Sequence, residues 1–332
     1  MEFVRRETGE SRVGVSGLRR LAGGSSRQVW AVDVALGDAE PLALVLRINP
    51  TPESVSSLSA TSGGFEGEFR LLQAVHAHGA PVPAPYWNCE DREVLGGPFY
   101  LMDRIEGETI PRRIYRSEEL SGARELLPEQ LGSALARIHR ADIGGEALGW
   151  LPGPTQGRSS PEEQVDSIER GLAASPGPAP VLALAHRWLA HNVPPERDRT
   201  LVHGDFRIGN VVVGPEGLRA VLDWELAHRG DPHEDLAWMC TKTWRFGNVD
   251  RPVGGLGPRE PFYRAYEKES GRSLDRDALR YWEVLGSAKV AVVWIFQVQA
   301  WLSGANRSVE QAAIGRRKAE TELDLLELLE AL

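Results

Sequence analysis

Hydrophobic and polar positions change their period partway along the chain. Two apolar-rich runs, Gln28–Leu36 and Leu42–Ile48, flank the turn signal Gly37-Asp38 and predict consecutive antiparallel strands. Residues 51–64 are rich in Ser and Gly and read as an insertion. Residues 65–78 then repeat apolar side chains at Phe69, Leu72 and Val75, the spacing of a helix that Gly79 ends. Prolines at 81, 83 and 85 impose an extended segment, because each ring fixes its own φ and restricts the residue before it. Residues 98–102 read as a buried strand that runs into a turn at Glu106-Gly107, so a boundary is expected between residues 1–105 and 106–332. From Pro128 onward the period is helical, through Leu131, Leu135 and Ile138, then 181–189 and 279–302. Val211-Val212-Val213 and Ala220-Val221-Leu222, joined by Gly214-Pro215-Glu216-Gly217, interrupt the helices as a small hairpin. Segments 149–161 and 251–261 read as loops, and no repeat of fixed period appears. The class expected is α+β, a sheet-containing first lobe followed by a larger, mainly helical one.

Composition narrows the partners. The 332 residues are 42% hydrophobic and 26% charged, with a formal charge of -9 at pH 7 and no basic run, which argues against nucleic acid or an anionic membrane as partner. The two cysteines, Cys89 and Cys240, lie far apart and suggest neither a disulfide framework nor a thiolate metal site. The opening residues lack a long apolar stretch, and no window reads as long enough to cross a bilayer, so a cytoplasmic chain is expected.

The chemistry is expected around the hairpin. Leu201-Val202 feeds the polar loop His203-Gly204-Asp205-Phe206-Arg207-Ile208-Gly209-Asn210, which returns to the Val211 strand. Such a loop can set Asp205 beside an acceptor hydroxyl as base and turn the Asn210 carbonyl to a metal. The hairpin then delivers Asp223, a second hard oxygen, in Leu222-Asp223-Trp224-Glu225. This order, followed by Gly230-Asp231-Pro232-His233-Glu234-Asp235-Leu236-Ala237-Trp238, resembles the aminoglycoside phosphotransferase and choline kinase family over nearly the whole chain. The resemblance implies a bilobal protein-kinase-like fold, with 1–105 binding nucleotide and 106–332 supplying the catalytic and acceptor sites. It implies ATP and Mg2+ as cofactors, Asp205 as catalytic base, Asn210 and Asp223 as metal ligands, and His203, Asp231 and Asp235 as structural support.

The first lobe carries matching parts. Gly23, Gly24, Ser25 and Ser26 lie between strands, where glycines and hydroxyls can approach phosphate oxygens. Arg47 and Glu68 occupy the places of the strand cation and helix glutamate, with arginine where the family usually has lysine. Met102, Asp103 and Ile105 are expected at the hinge against the adenine edge. Most tryptophans read as core, while Trp244 could line an acceptor pocket, and an aromatic cage for a quaternary cation is the sharper alternative. The function expected is transfer of the γ-phosphate of ATP to the hydroxyl of a small molecule, either aminoglycoside-like or a hydroxy-acyl acceptor. Trp244-Arg245-Phe246-Gly247 and Asp223-Trp224-Glu225 add a resemblance to the phosphotransferase-like domains associated with acyl-CoA dehydrogenases. The alternative, prompted by Arg47, is a nucleotide-binding pseudokinase that regulates or scaffolds a partner.

Overall fold

In a computed structural model the chain is described over residues 1–21, 28–49, 64–196, 198–304 and 309–331. A short helix α1 (Glu2–Thr8) precedes the strands β1 (Val13–Arg20), β2 (Gln28–Leu36) and β3 (Leu42–Ile48). Helix α2 (Gly64–Ala77), β4 (Pro85–Cys89), the single turn α3 (Arg92–Leu95) and β5 (Phe99–Asp103) complete the first lobe. The five strands form one antiparallel sheet in the order β1-β2-β3-β5-β4.

Alternation along the two inner strands divides the lobe into two apolar layers. Leu44 and Ile48 of β3, with Phe99 and Leu101 of β5, pack against Phe3 and Val4 of α1. Val45, Tyr100 and Met102 point the other way, onto Phe65, Phe69 and Leu72 of α2. Arg47 shares the parity of Val45, so the strand period directs its side chain to the α2 face.

β1 and β4 are the edges of the sheet, and neither is marked by the hydrophobic pattern. Only Val13 of β1 is buried, and β4 starts on Pro85, a residue that an edge strand accepts because it needs no inward N–H there.

After residue 105 the chain is mainly helical: α4 (Pro111–Arg116), α5 (Ser121–Ile138), α6 (Ser160–Ala173) and α7 (Pro180–His191). Four short strands follow, β6 (Thr200–Val202), β7 (Val211–Gly214), β8 (Gly217–Val221) and β9 (His228–Gly230). The chain ends on α8 (His233–Cys240), α9 (Arg259–Ser270), α10 (Arg276–Leu302), α11 (Val309–Ile314) and α12 (Lys318–Glu330). β7 and β8 form the expected hairpin, and β6 pairs with β9. α5 starts seven residues before the periodicity suggests, with Pro128 inside it. α6 occupies sequence read partly as loop, and its start is a capping box between Ser159 and Glu162.

α10 corrects one expectation. By length and composition its apolar stretch could cross a bilayer, with a mean hydropathy of 1.3 over the window. More than half of that window is buried within the protein, where Trp282, Leu285 and Val292 pack with Ile168 of α6, Leu182 of α7 and Leu325 of α12. It is the central helix of the second lobe.

One core runs from α2 and β5 into α5 and the hairpin, joining the lobes. Backbone bonds reinforce the joint: Val221 N–H donates to Pro81 O at 2.7 Å, and Glu108 and Val213 exchange N–H···O bonds of 2.8 and 3.0 Å. α5 and α9 approach so closely at Gly132 that an added Cβ would lie 2.2 Å from the backbone oxygen of Phe262. Gly132→Ala is therefore expected to force the helices apart and lower stability by roughly 1–3 kcal/mol, read as a lower denaturant midpoint with an unchanged slope.

Candidate active site

The loop after β6 is fixed from beneath. Gly204 adopts φ 81°, and a Cβ there would sit 2.4 Å from Leu226 O, so the turn needs glycine. The Asp235 carboxylate of α8 accepts the backbone N–H groups of His203 and Gly204 at 2.7 and 2.9 Å. The same carboxylate meets His139 Nε2 at 3.1 Å, and His139 Nδ1 meets Tyr266 Oη at 2.9 Å. Burial pushes the His139 pKa down despite Asp235. His203 Nδ1 accepts the Asp205 N–H at 3.2 Å, which leaves Nε2–H to donate to Leu222 O at 3.0 Å. His203 thus links the loop to the end of the hairpin. Asp231 lies farther back, accepting the N–H and Nδ1–H of His233 at 2.8 and 2.6 Å.

Three donors converge on the Asp205 carboxylate. Arg207 Nε lies 3.0 Å from both oxygens, Asn210 Nδ2 lies 2.7 Å from Oδ2, and Trp238 Nε1 lies 2.8 Å from Oδ1. With its amide nitrogen turned to Asp205, Asn210 keeps Oδ1 clear of any donor among the described residues. Leu222 N–H donates to Asn210 O at 2.8 Å, so Leu222 bonds both ends of the loop and brings Asp223 beside it. Asp223 has φ 67°, a left-handed conformation unusual for a side-chain-bearing residue, which over-determined neighbours maintain.

Arg47 approaches from the first lobe. Its Nη1 lies 2.5 Å from Glu68 Oε1 and 3.0 Å from Tyr100 Oη, while Tyr100 Oη lies 2.9 Å from the same Glu68 oxygen. Burial opposes charge on Arg47, but Glu68, Tyr100 and then Asp223 outweigh it and raise its pKa. Asp223 is thereby in electrostatic reach of Arg47. Arg47 Nε is buried with no hydrogen-bond partner among the described residues.

At the expected hinge, Asp103 N–H donates to Ala84 O at 2.9 Å, and Met102 is buried in the sheet opposite Val45. The Ile105 N–H has no partner among the described residues. Gly23, Gly24, Ser25 and Ser26 lie outside the described residues. Among the described residues no cluster of three or more His, Cys, Asp or Glu side chains could hold a metal by itself.

A family model described as the phosphotransferase enzyme family matches residues 17–287. The chain belongs to that family. The structure of a candidate aminoglycoside phosphotransferase from Ralstonia eutropha superposes with a TM-score of 0.78 at 21% identity, covering 99% of this chain and 97% of that one. A thermostable mutant of aminoglycoside phosphotransferase APH(4)-Ia, in a ternary complex with AMP-PNP and hygromycin B, superposes at 0.56 with 19% identity over 97% of each chain. These likenesses establish the bilobal protein-kinase-like fold. In sequence, acyl-CoA dehydrogenase family member 10 of Mus musculus is 35% identical over 67% of this chain. The chain spans only 21% of that relative's length, and well under half of several others so named.

Two neighbours of Asp205 escaped the sequence reading. Arg207 stands two residues along the same loop, a charge that the motif itself displays. Trp238 was read as core, and it is only 6% exposed, yet its N–H serves Asp205. The spacing Asp235-Leu236-Ala237-Trp238 was the available signal, since residues three apart share a helix face. Trp244 also lies here, with the Arg207 guanidinium 4.9 Å over its ring.

Behind Trp238 lies a buried ionic group. His228 Nδ1 meets Leu226 O at 2.9 Å and Nε2 meets Glu234 Oε2 at 3.1 Å, while Lys289 Nζ lies 3.1 Å from Glu234 Oε1. Burial would push Glu234 up, but Lys289 and His228 pull it down to about 2. Burial likewise works against the His228 charge, and Glu234 reverses that to raise its pKa. The Glu234 contribution is present above its ordinary 4.5 and fades as pH falls toward 2; that of His228 is present below 6.5 and fades as pH rises through its raised value. Glu234→Gln should therefore cost about 2 kcal/mol between these limits. Urea unfolding of both proteins across pH should show the gap widest at pH 4.5–6.5 and narrower on each side.

Proposed function

We propose that this member of the phosphotransferase enzyme family moves the γ-phosphate of ATP, with magnesium, onto a hydroxyl of a small molecule. The observation that carries the reading is the double bonding of Leu222 to His203 and Asn210, which gathers Asp205, Asn210 and Asp223 within one short backbone frame facing Arg47. The donor set suits magnesium-ATP. Asp223 and the open Oδ1 of Asn210 are hard oxygens, and two protein ligands suffice for a metal that also takes phosphate and water. The Nε of Arg47, without a partner among the described residues, is a buried donor suited to a phosphate oxygen. When bound, magnesium-ATP supplies the transferable phosphoryl group and the metal neutralises its developing charge.

The chain's own part is positioning and proton transfer. An ionised carboxylate accepts at roughly four lone-pair sites. Four contacts from three donors engage those sites, since Arg207 Nε is shared between both oxygens, so the acceptor hydroxyl takes the place of one half of that shared contact. Asp205 receives the hydroxyl proton as the hydroxyl oxygen's bond to phosphorus forms and the bond from phosphorus to the ADP oxygen breaks. Arg207 keeps positive charge beside that reaction. Asp235 and His203 hold the loop in place, and Met102, Asp103 and Ile105 lie along the adenine edge, where the N–H of Ile105, without a partner among the described residues, is an available donor. Residues 1–105 carry the nucleotide and residues 106–332 the acceptor.

The surroundings of Asp205 favour a hydroxy-acyl acceptor over a polycationic aminoglycoside. Arg207 and the N–H edge of Trp238 border the carboxylate, the Trp244 face carries Arg207, and the Tyr115 and Phe246 rings pair 6.3 Å apart on α4 and the loop after α8. The Arg207 guanidinium suits an anionic body and repels ammonium groups, while the rings accept its apolar parts. The relatives' name, acyl-CoA dehydrogenase family member, agrees with that choice.

Incubation with magnesium-ATP and a panel of hydroxy acids, hydroxyacyl thioesters and aminoglycosides should release ADP in step with acceptor phosphorylation. Asp205→Asn should lower kcat by roughly 10²- to 10⁴-fold and leave magnesium-ATP binding intact. Absence of magnesium-ATP binding by the parent protein would refute the proposal, and binding without turnover on any acceptor would favour the regulatory pseudokinase.

A further inference from the structure

α8 reaches the loop twice from a single face. Asp235 takes two of its backbone N–H groups, and Trp238, three residues later, donates to the Asp205 side chain at 2.8 Å. The three donors to Asp205 differ in how firmly they are held. Arg207 and Asn210 belong to the loop itself, and the Arg207 side chain is 25% exposed. Trp238 alone among the described donors comes from the core, through the indole whose ring is clamped on several sides. Trp244 packs against it with ring centroids 5.3 Å apart, Lys289 Nζ sits 5.4 Å over its face, and Val290 and Trp294 complete the cluster. Arg207, bonded to Asp205 and stacked on Trp244, closes a four-residue ring, Asp205, Arg207, Trp244 and Trp238.

Packing by itself does not demand this hydrogen bond. The indole N–H groups of Trp244 and Trp282 are buried with no partner among the described residues, and Trp282 is only 1% exposed. The interior of this protein thus accommodates an unbonded indole, while Trp238 is aimed at a carboxylate.

We infer that Trp238 is a positioning residue for Asp205. Its rigid N–H fixes the rotamer of the carboxylate, so the same carboxylate edge faces the acceptor oxygen in every turnover. The inference rests on the base role of Asp205 proposed above. Trp238→Phe keeps a ring in the core and removes the donor.

The test is a double-mutant cycle read as ADP release from magnesium-ATP with water as acceptor. Trp238→Phe should lower kcat roughly 10- to 100-fold with KM for ATP unchanged. In an Asp205→Asn background the same substitution should have no further effect, because residues that act as one unit are not additive. An unchanged rate in Trp238→Phe, or the same fold loss in both backgrounds, would overturn the inference while leaving the base role standing. Full turnover by Asp205→Asn would instead remove the base role and the inference with it. A second measurement does not depend on that variant's folding: the Trp238 indole proton resonance, compared between the parent chain and Asp205→Ala. An upfield move on loss of the acceptor is expected, and an unmoved resonance would contradict the hydrogen bond.

Discussion

The arrangement depends on one buried carboxylate. Asp235 accepts the backbone N–H groups of His203 and Gly204 in an interior where neither could find water. An unpaired buried donor costs about 1–3 kcal/mol, so the loop is strongly biased to the conformation in which both are satisfied. That conformation requires the left-handed turn at Gly204, and it sets the direction in which Asp205 leaves the backbone. The conformation of the whole loop therefore follows from a side chain that lies beneath it.

The second constraint is the period of the sheet. Because Arg47 falls on the α2 side of β3, burial brings it to Glu68, which is fully buried, and Tyr100 supplies a hydroxyl to both. Arginine in this place keeps the pair with glutamate and retains its Nε as a spare donor, a capacity that lysine's single ammonium would distribute differently. The hairpin connects the two constraints, since Leu222 is bonded to the loop on both sides and Asp223 follows it toward Arg47.

Much of this was legible in the sequence, for identifiable reasons. β2, β3 and β5 lie inside the sheet and carry dense apolar runs, whereas the edge strands β1 and β4 bury too little to show a pattern. α6 carries both a cap and apolar side chains at helical spacing, Val165, Ile168 and Leu172, whereas β6 and β9 are three residues each, too short for any period. The polar positions Asp205, Asn210 and Asp223 stand out because two carboxylates and an amide in a fixed order around an apolar hairpin resemble a family pattern. Trp238 did not stand out. A tryptophan in a buried helix has an ordinary explanation, and only coordinates reveal that its N–H points at Asp205. The proposed acceptor side remained obscure for the same reason, because the aromatic residues and arginines beside Asp205 cannot be separated from packing by sequence alone.

The central claim is that Asp223, held in its left-handed conformation beside Asn210, is the metal ligand that makes nucleotide binding magnesium-dependent. Calorimetric titration of ATP into the parent chain and into Asp223→Asn, each with and without magnesium, tests it most directly. The account predicts that magnesium strengthens ATP binding to the parent chain and that this gain is lost in Asp223→Asn, while the variant's thermal midpoint stays near that of the parent. An equal magnesium-dependent gain in both proteins would contradict it.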